Sequence, residues 1–329
     1  MPRIDDVRWL DAAARLAARA RPFCRPNPGV AAIIVRNGIV TGRGWTQPGG
    51  RPHAETIALA DAASGANGAT LFVTLEPCAH PSIRGPCCAD LIARSGLERV
   101  VIGCGDPDPR TAGQGIARIA SAGIAAELQP NAACRASLAG YLKRHAASRP
   151  HVTLKLAMSL DGGIALADGT SQWITGEPAR AHGHALRAAS DAILVGGGTL
   201  RADAPRLDVR LPGLEERSPE PWVLTHGPAP QGWNALHSPQ AITTAMPDVQ
   251  YLMVEGGAGA AAAFLGADLV DRLVLYRAPI LIGGGRAALV DIGLTDLSAA
   301  HGRWQNTDRR QLGNDTLEVY ERTTSSAEK

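Results

Sequence analysis

Apolar residues first recur at helical spacing at Leu10, Ala13, Ala14 and Ala17, which predicts a helix ending before Pro22. The chain then turns through Arg25-Pro26-Asn27-Pro28. Ala31 to Val35 is a continuous apolar run suited to a buried strand, and Asn37-Gly38 is a hairpin signal leading into Ile39 and Val40. Helical periodicity follows over His53 to Ala63, a strand over Thr70 to Leu75, a helix over Cys87 to Arg94 and a strand over Arg99 to Gly103. Ile116 to Ala122 and Asn131 to His145 add two helices. Strands and helices alternate, as in a layered α/β domain.

Ser148-Arg149-Pro150 reads as a linker, which divides the chain into 1–148 and 149–329. The pattern restarts beyond it: strand Val152 to Met158, helix Glu177 to Ala189, strands Ala192 to Val195 and Tyr251 to Val254, helix Ala258 to Leu265 and strand Arg272 to Tyr276. Between Leu211 and Val249 the periodicity fails and prolines accumulate, so long loops are expected. The polar tail from Thr323 to Lys329 is expected to fray. No internal repeat is evident.

A length of 329 residues agrees with two domains, and 45% hydrophobic content excludes a disordered chain. Aromatics make up only 4%, so Ala, Leu, Val and Ile must fill the cores. A net charge of +2 provides no broad basic surface, and no nucleic-acid partner is expected. Gly256 to Ala267 is too short and too rich in small residues to span a bilayer, so no membrane partner is expected either. The Arg- and Ala-rich start resembles a mitochondrial presequence, but Asp5, Asp6 and Asp11 oppose that. A cytoplasmic, reducing setting is expected, in which the six cysteines act as thiols or metal ligands. Assembly into homo-oligomers is left open.

Two constellations carry chemistry. His53-Ala54-Glu55 opens a helix, Glu76-Pro77-Cys78 ends a strand, and the next cysteines are Cys87 and Cys88. A hydrolytic zinc site takes three protein ligands and keeps one position for water. One His with two Cys supplies that set, and Glu55, two residues beyond the His, suits a proton shuttle between the water and a leaving nitrogen. The second constellation follows Ala192-Ile193-Leu194-Val195 with Gly196-Gly197-Gly198-Thr199, and Glu255-Gly256-Gly257 repeats the arrangement after another strand. Glycines there allow backbone amides to approach a pyrophosphate, although the G-x-G-x-x-G spacing of a Rossmann fold is missing. Cys24, Cys104 and Cys134 read as buried thiols, Trp233 and Trp304 as packing residues, and His182 with His184, two apart on a helix, as a poor metal pair.

The insertion between Cys78 and Cys87 resembles the bifunctional riboflavin-biosynthesis deaminase/reductase family. So do Pro26-Asn27-Pro28, Thr74-Leu75-Glu76-Pro77-Cys78, Asp106-Pro107, Gly113-Gln114-Gly115-Ile116, Leu154-Lys155-Leu156-Ala157, Ser159-Leu160-Asp161-Gly162 and Ser171-Gln172-Trp173-Ile174-Thr175. The resemblance covers nearly the whole chain. It implies a cytidine-deaminase-like α/β/α domain followed by a dihydrofolate-reductase-like α/β domain, with Zn²⁺ and NADPH as cofactors. The implied substrate is a phosphoribosylated diaminopyrimidinone, deaminated and then reduced from ribosyl to ribityl. Matched positions imply His53, Cys78 and Cys87 as zinc ligands, with Cys88 as a packing thiol, Glu55 as the catalytic residue and Asn27 on the pyrimidine ring. They further imply Ala157, Trp173, Thr199, Asp203 and Gly257 around NADPH, and Ser171, Arg187, Leu207, Arg210 and Glu255 around substrate. Lys155 and Asp161 are further candidates for lining that site.

The chain departs from the family pattern at Pro81-Ser82-Ile83-Arg84-Gly85-Pro86. It departs again between Leu211 and Gln250, where the usual strand appears only as Trp222-Val223-Leu224-Thr225-His226. Alternatives therefore stay open: a deaminase carrying an inactive reductase-like domain, or a non-catalytic zinc-stabilised binding module in which Glu55 merely caps or pairs. A nucleic-acid base deaminase is opposed by the Cys78 to Cys87 spacing and the balanced charge.

Overall fold

In a computed structural model the chain divides between Ser148 and Arg149 into two compact units. Residues 4–80 and 85–323 are described; the departing loop residues Pro81 to Arg84 and the tail beyond Thr323 lie outside them.

The first unit holds strands β1 (Ala31–Arg36), β2 (Ile39–Trp45), β3 (Thr70–Val73), β4 (Arg99–Ile102) and β5 (Ala125–Leu128), in the sheet order β2-β1-β3-β4-β5. β1 is antiparallel to both its neighbours, while β3, β4 and β5 are parallel. Helices α1 (Ile4–Ala17), α2 (Ala54–Ala62), α3 (Cys88–Ala93), α4 (Gln114–Ser121), α5 (Ala132–Ser137) and α6 (Ala139–Ala147) complete it. The unbroken apolar run of β1 has a simple cause, because both faces of the strand are covered. Ala32 and Ile34 pack with Ala58, Leu71, Ile92 and Ile119 on one face. Ile33 and Val35 pack with Leu10, Ala13 and Phe72 on the other. Asn37 and Gly38 take φ of 52° and 77°, the left-handed pair that a tight hairpin needs, and join Arg36 to its partner Ile39.

Helix α2 lies directly on β2. A Cβ on Gly42 would meet the Ala58 carbonyl at 2.3 Å, and one on Gly44 would meet the Ala54 carbonyl at 2.3 Å. These glycines, with the buried alanines at 54, 58 and 62, let backbone rest on backbone and fix where the helix begins. The helix expected over Asn131 to His145 is broken at Leu138, with the Asn131 side chain capping α5 by accepting from the Cys134 N–H at 2.8 Å. Strand β5 was not expected, because its largely exposed Ala-Ala-Glu-Leu carries no apolar signature.

The second unit is built on an eight-stranded sheet. Its strands are β6 (His151–Met158), β8 (Ala192–Gly196), β9 (Glu220–Leu224), β10 (Asn234–Leu236), β11 (Tyr251–Glu255), β12 (Arg272–Arg277), β14 (Trp304–Leu312) and β15 (Asp315–Arg322). The order is β10-β9-β8-β11-β6-β12-β15-β14. The first six in this order are parallel, and β15 and β14 close the sheet as an antiparallel hairpin. A separate ribbon pairs β7 (Gly163–Ala165) with β13 (Arg286–Ala287). Helices α7 (Glu177–Ala188), α8 (Gly197–Asp203), α9 (Ile242–Ala245) and α10 (Ala258–Gly266) flank the sheet.

The loops expected between Leu211 and Val249 are a correction: β9, β10 and α9 form there and contribute Trp222, Leu236 and Ile242 to the core. Short strands interrupted by proline are too brief to register as periodicity. The β14–β15 hairpin also escaped expectation, since most of β14 is polar and exposed. Among the described residues no helix is long and apolar enough to cross a membrane.

Candidate active sites

In the first unit the amino end of α2, the segment after β3 and the amino end of α3 converge. His53 precedes α2 in an extended conformation. Its Nδ1 lies 3.3 Å from Cys88 Sγ and 3.6 Å from Cys78 Sγ, and the three potential ligand atoms all lie within 4.8 Å of one another. A tetrahedral ion with bonds near 2.0 Å to nitrogen and 2.3 Å to sulfur separates those ligands by roughly 3.6 Å. The donor set and its spacing therefore fit Zn²⁺.

The third member differs from the ligand that the resemblance implies. Cys88, not Cys87, faces His53 and Cys78. Cys87 is the extended N-cap residue and Cys88 the first residue of α3, and their side chains leave the backbone in different directions. Cys87 Sγ lies instead 3.2 Å from Arg118 Nη1 on α4, beside Asp90.

Glu55, on the first turn of α2, is 3% exposed and hydrogen-bonds with the Cys88 thiol. Burial pushes its carboxyl up, against the opposing pull of His53. The Cys78 thiol is drawn down to about 4 by the hydrogen bond from the Cys88 side chain, over the opposing effect of burial. Cys88 is pushed well up by donating that bond and by burial. His53 rises despite its burial, because Cys78 bonds to it and the Glu55 charge is near. Asn27 sits in the turn before β1, packed against Gly50 so closely that a Cβ there would lie 1.8 Å from its side-chain nitrogen. The Gly50 loop runs through Pro52 to His53.

The carboxyl ends of β6, β8 and β11 carry the second site. Glu255, ending β11, receives Lys155 Nζ at 3.1 Å, Arg187 Nε at 2.9 Å and Arg187 Nη2 at 3.0 Å. Burial pushes Glu255 up, but Lys155 and Arg187 outweigh it and hold the carboxyl at about 2. Arg187 also donates to the Asp208 carbonyl at 2.9 Å, which ties α7 to the segment carrying Leu207 and Arg210. Leu207 is buried with φ of 58°, a left-handed conformation that costs a leucine strain. Arg210 is exposed and donates its backbone N–H to His184 Nδ1 at 3.3 Å. An open pocket of about 410 Å³ lies here, lined by Arg206, Asp208, Arg210, Pro212 and Glu215.

The two glycine turns meet, since a Cβ on Gly257 would lie 2.8 Å from Thr199 Oγ1. Ala157 stands near the end of β6, opposite Tyr276. Ser171 and Trp173 lie on the segment between β7 and α7, where the exposed Trp173 ring has the Arg180 guanidinium 4.7 Å away. Asp203 is the exposed last residue of α8. The structure thus joins Arg187 to Glu255 and Thr199 to Gly257, adding Lys155 as a direct partner of Glu255. Asp161 accepts from Ser159 Oγ at 2.5 Å and from the Gly283 N–H at 2.7 Å, tying the β6–β7 turn to a third glycine run. His182 meets the Tyr276 hydroxyl at 2.6 Å, on a different side of α7 from His184.

The sequence pattern described as the cytidine and deoxycytidylate deaminase zinc-binding region matches residues 3–104, and that of the RibD C-terminal domain matches 150–248 and 243–317. The riboflavin biosynthesis protein RibD of Haemophilus influenzae is 34% identical, over 96% of this chain and 97% of its own. The solved structure of Acinetobacter baumannii RibD is 32% identical with a TM-score of 0.84, covering 97% of this chain and 99% of its own. A structure from Thermotoga maritima described as a diaminohydroxyphosphoribosylaminopyrimidine deaminase/5-amino-6-(5-phosphoribosylamino)uracil reductase is 27% identical with a TM-score of 0.82, covering 96% and 99%.

Proposed function

The chain belongs to the RibD family of bifunctional deaminase/reductases of riboflavin biosynthesis, and on that premise we propose that its two units perform successive steps on one phosphoribosylated diaminopyrimidinone. The first step replaces the exocyclic amine by oxygen from water, with loss of ammonia. The second reduces the ribosyl carbon joined to the amine, opening the sugar to a ribityl chain. The observation that carries this reading is the convergence of His53, Cys78 and Cys88 beside a buried glutamate.

His53, Cys78 and Cys88 would hold zinc, which would supply Lewis-acid activation of a water molecule. Glu55, buried beside these ligands, would carry a proton from the attacking water to the departing nitrogen; its raised affinity for protons suits the exchange. Asn27 orients the pyrimidine ring. In the second unit Ala157, Trp173, Thr199, Asp203 and Gly257 would border NADPH, which would supply the hydride. Ser171, Arg187, Leu207, Arg210 and Glu255 hold the substrate. Guanidinium groups suit its phosphate through paired donors, and Arg210 is the exposed one of the two. Glu255, at the end of β11, keeps Lys155 of β6 and Arg187 of α7 in fixed positions beside it.

The test supplies purified, zinc-loaded protein with the phosphoribosylated diaminopyrimidinone, with and without NADPH. Ammonia release without NADPH, followed by NADPH oxidation when it is added, is expected. Ammonia release with no NADPH oxidation favours a deaminase attached to an inactive reductase-like unit, and no ammonia release removes the reading altogether.

A further inference from the structure

The Glu76 side chain takes no part in the chemistry above, yet it accepts four backbone hydrogen bonds. It is 4% exposed. Its Oε1 accepts the backbone N–H of Gly115 at 3.0 Å and of Ile116 at 3.2 Å, and its Oε2 accepts those of Gly113 at 3.1 Å and Asp106 at 3.4 Å. Its own N–H donates to the Cys104 carbonyl at 2.8 Å, beside the end of β4. The carboxylate therefore caps the first turn of α4 from the residue two before Cys78.

The contact continues through backbone. A Cβ on Gly115 would lie 2.1 Å from the Pro77 carbonyl, so the first turn of α4 rests directly on the Pro77-Cys78 peptide. Farther along α4, Arg118 Nη1 reaches Asp90 at 3.2 Å and Cys87 Sγ at 3.2 Å, both at the start of α3. One helix thus touches both cysteine-bearing segments, and Glu76 sets its position on the first of them.

We infer that Glu76 is a positioning residue for the metal centre: by holding α4 it sets the separation of Cys78 and Cys88. The inference rests on the zinc reading above. Only a carboxylate can accept at all these N–H groups without presenting a donor. An amide would turn an NH2 toward part of the set, releasing the first turn of α4 from Pro77. Residues that orient metal ligands without touching the metal commonly change affinity by about 10- to 100-fold.

The experiment compares wild type, E76Q and G115A as full-length protein. It measures zinc affinity by competition with a chromophoric chelator, the absorption spectrum of the cobalt-substituted form, ammonia release, and NADPH oxidation by the second unit. The G115A substitution leaves the carboxylate in place but forces α4 away from Pro77, so it tests the same contact should E76Q fold poorly. Expected for both is a ten- to hundredfold loss of zinc affinity with an altered thiolate-to-cobalt band. The kcat of deamination should fall more than KM rises, and NADPH oxidation with the deaminated intermediate supplied directly should hold. Wild-type affinity and an unchanged cobalt band in both variants would overturn the inference alone. A wild-type chain that takes up no zinc overturns the zinc reading and this inference with it.

Discussion

Replacing each of the adjacent cysteines in turn separates two readings of the metal centre that differ by one residue. Cys88 Sγ lies 3.3 Å from His53 Nδ1, at the separation that a shared ion imposes, whereas Cys87 Sγ lies against Arg118. Zinc held by four protein ligands binds with about 10–16 kcal/mol in small structural sites, roughly 2.5–4 kcal/mol per ligand. At 1.4 kcal/mol per decade, loss of one ligand should weaken binding by about two to three orders of magnitude. Cys88→Ser should therefore emerge from dialysis against a chelator nearly zinc-free, and Cys87→Ser should keep about one zinc per chain. Elemental analysis after stepwise chelator titration reads the difference, with ammonia release as a second readout. If Cys87→Ser lost the metal while Cys88→Ser kept it, the start of α3 would be rotated from the position described here, and the geometric argument would fail.

Glu55→Gln should retain zinc while ammonia release drops by roughly 10²- to 10⁴-fold, the usual contribution of a positioned proton carrier; activity near wild type would make Glu55 a structural residue. Glu255→Gln should leave Lys155 and Arg187 without their shared counter-charge and destabilise the second unit by about 3 kcal/mol, measured by urea unfolding. The sign of its pH dependence follows from a folded pKa near 2 against 4.5 for the ordinary side chain. The carboxylate stabilises the fold above the higher value and progressively less as pH falls toward the lower. The gap between wild type and variant should accordingly close across that interval, and a gap independent of pH would refute the assignment.

The parts of the fold that could be read from sequence are those whose burial is written as repetition. The run Ala31 to Val35 announces a strand covered on both faces, and Asn37-Gly38 announces its hairpin, because a left-handed pair suits few other residues. Strands β5, β9 and β10 left no pattern of their own, β9 being met only through the resemblance, as Trp222 to His226. The first is largely exposed, the second contains Pro221 and the third is three residues long, so none leaves a periodic trace. The metal centre was legible as a residue set, with Cys87 implied by the resemblance and Cys88 favoured by the geometry. Cysteines at 87 and 88 have the same chemistry, and only the angle at which α3 starts decides between them. Glu76 stood in a recognisable motif, but its partners are backbone amides thirty to forty residues away, to which side-chain identity gives no clue.

The clusters of buried apolar residues each draw their members from one side of the bond between Ser148 and Arg149. On the far side, Arg149 is at once clasped by both carboxylate oxygens of Asp271, at 2.6 and 2.9 Å, so the second core is anchored from its first residue. Such a seam makes covalent union a matter of genetic bookkeeping: a stop and a new start codon at that bond would leave each product with its complete interior. Fission and fusion of the two genes thus become small evolutionary steps, available to any lineage that gains from regulating the halves separately.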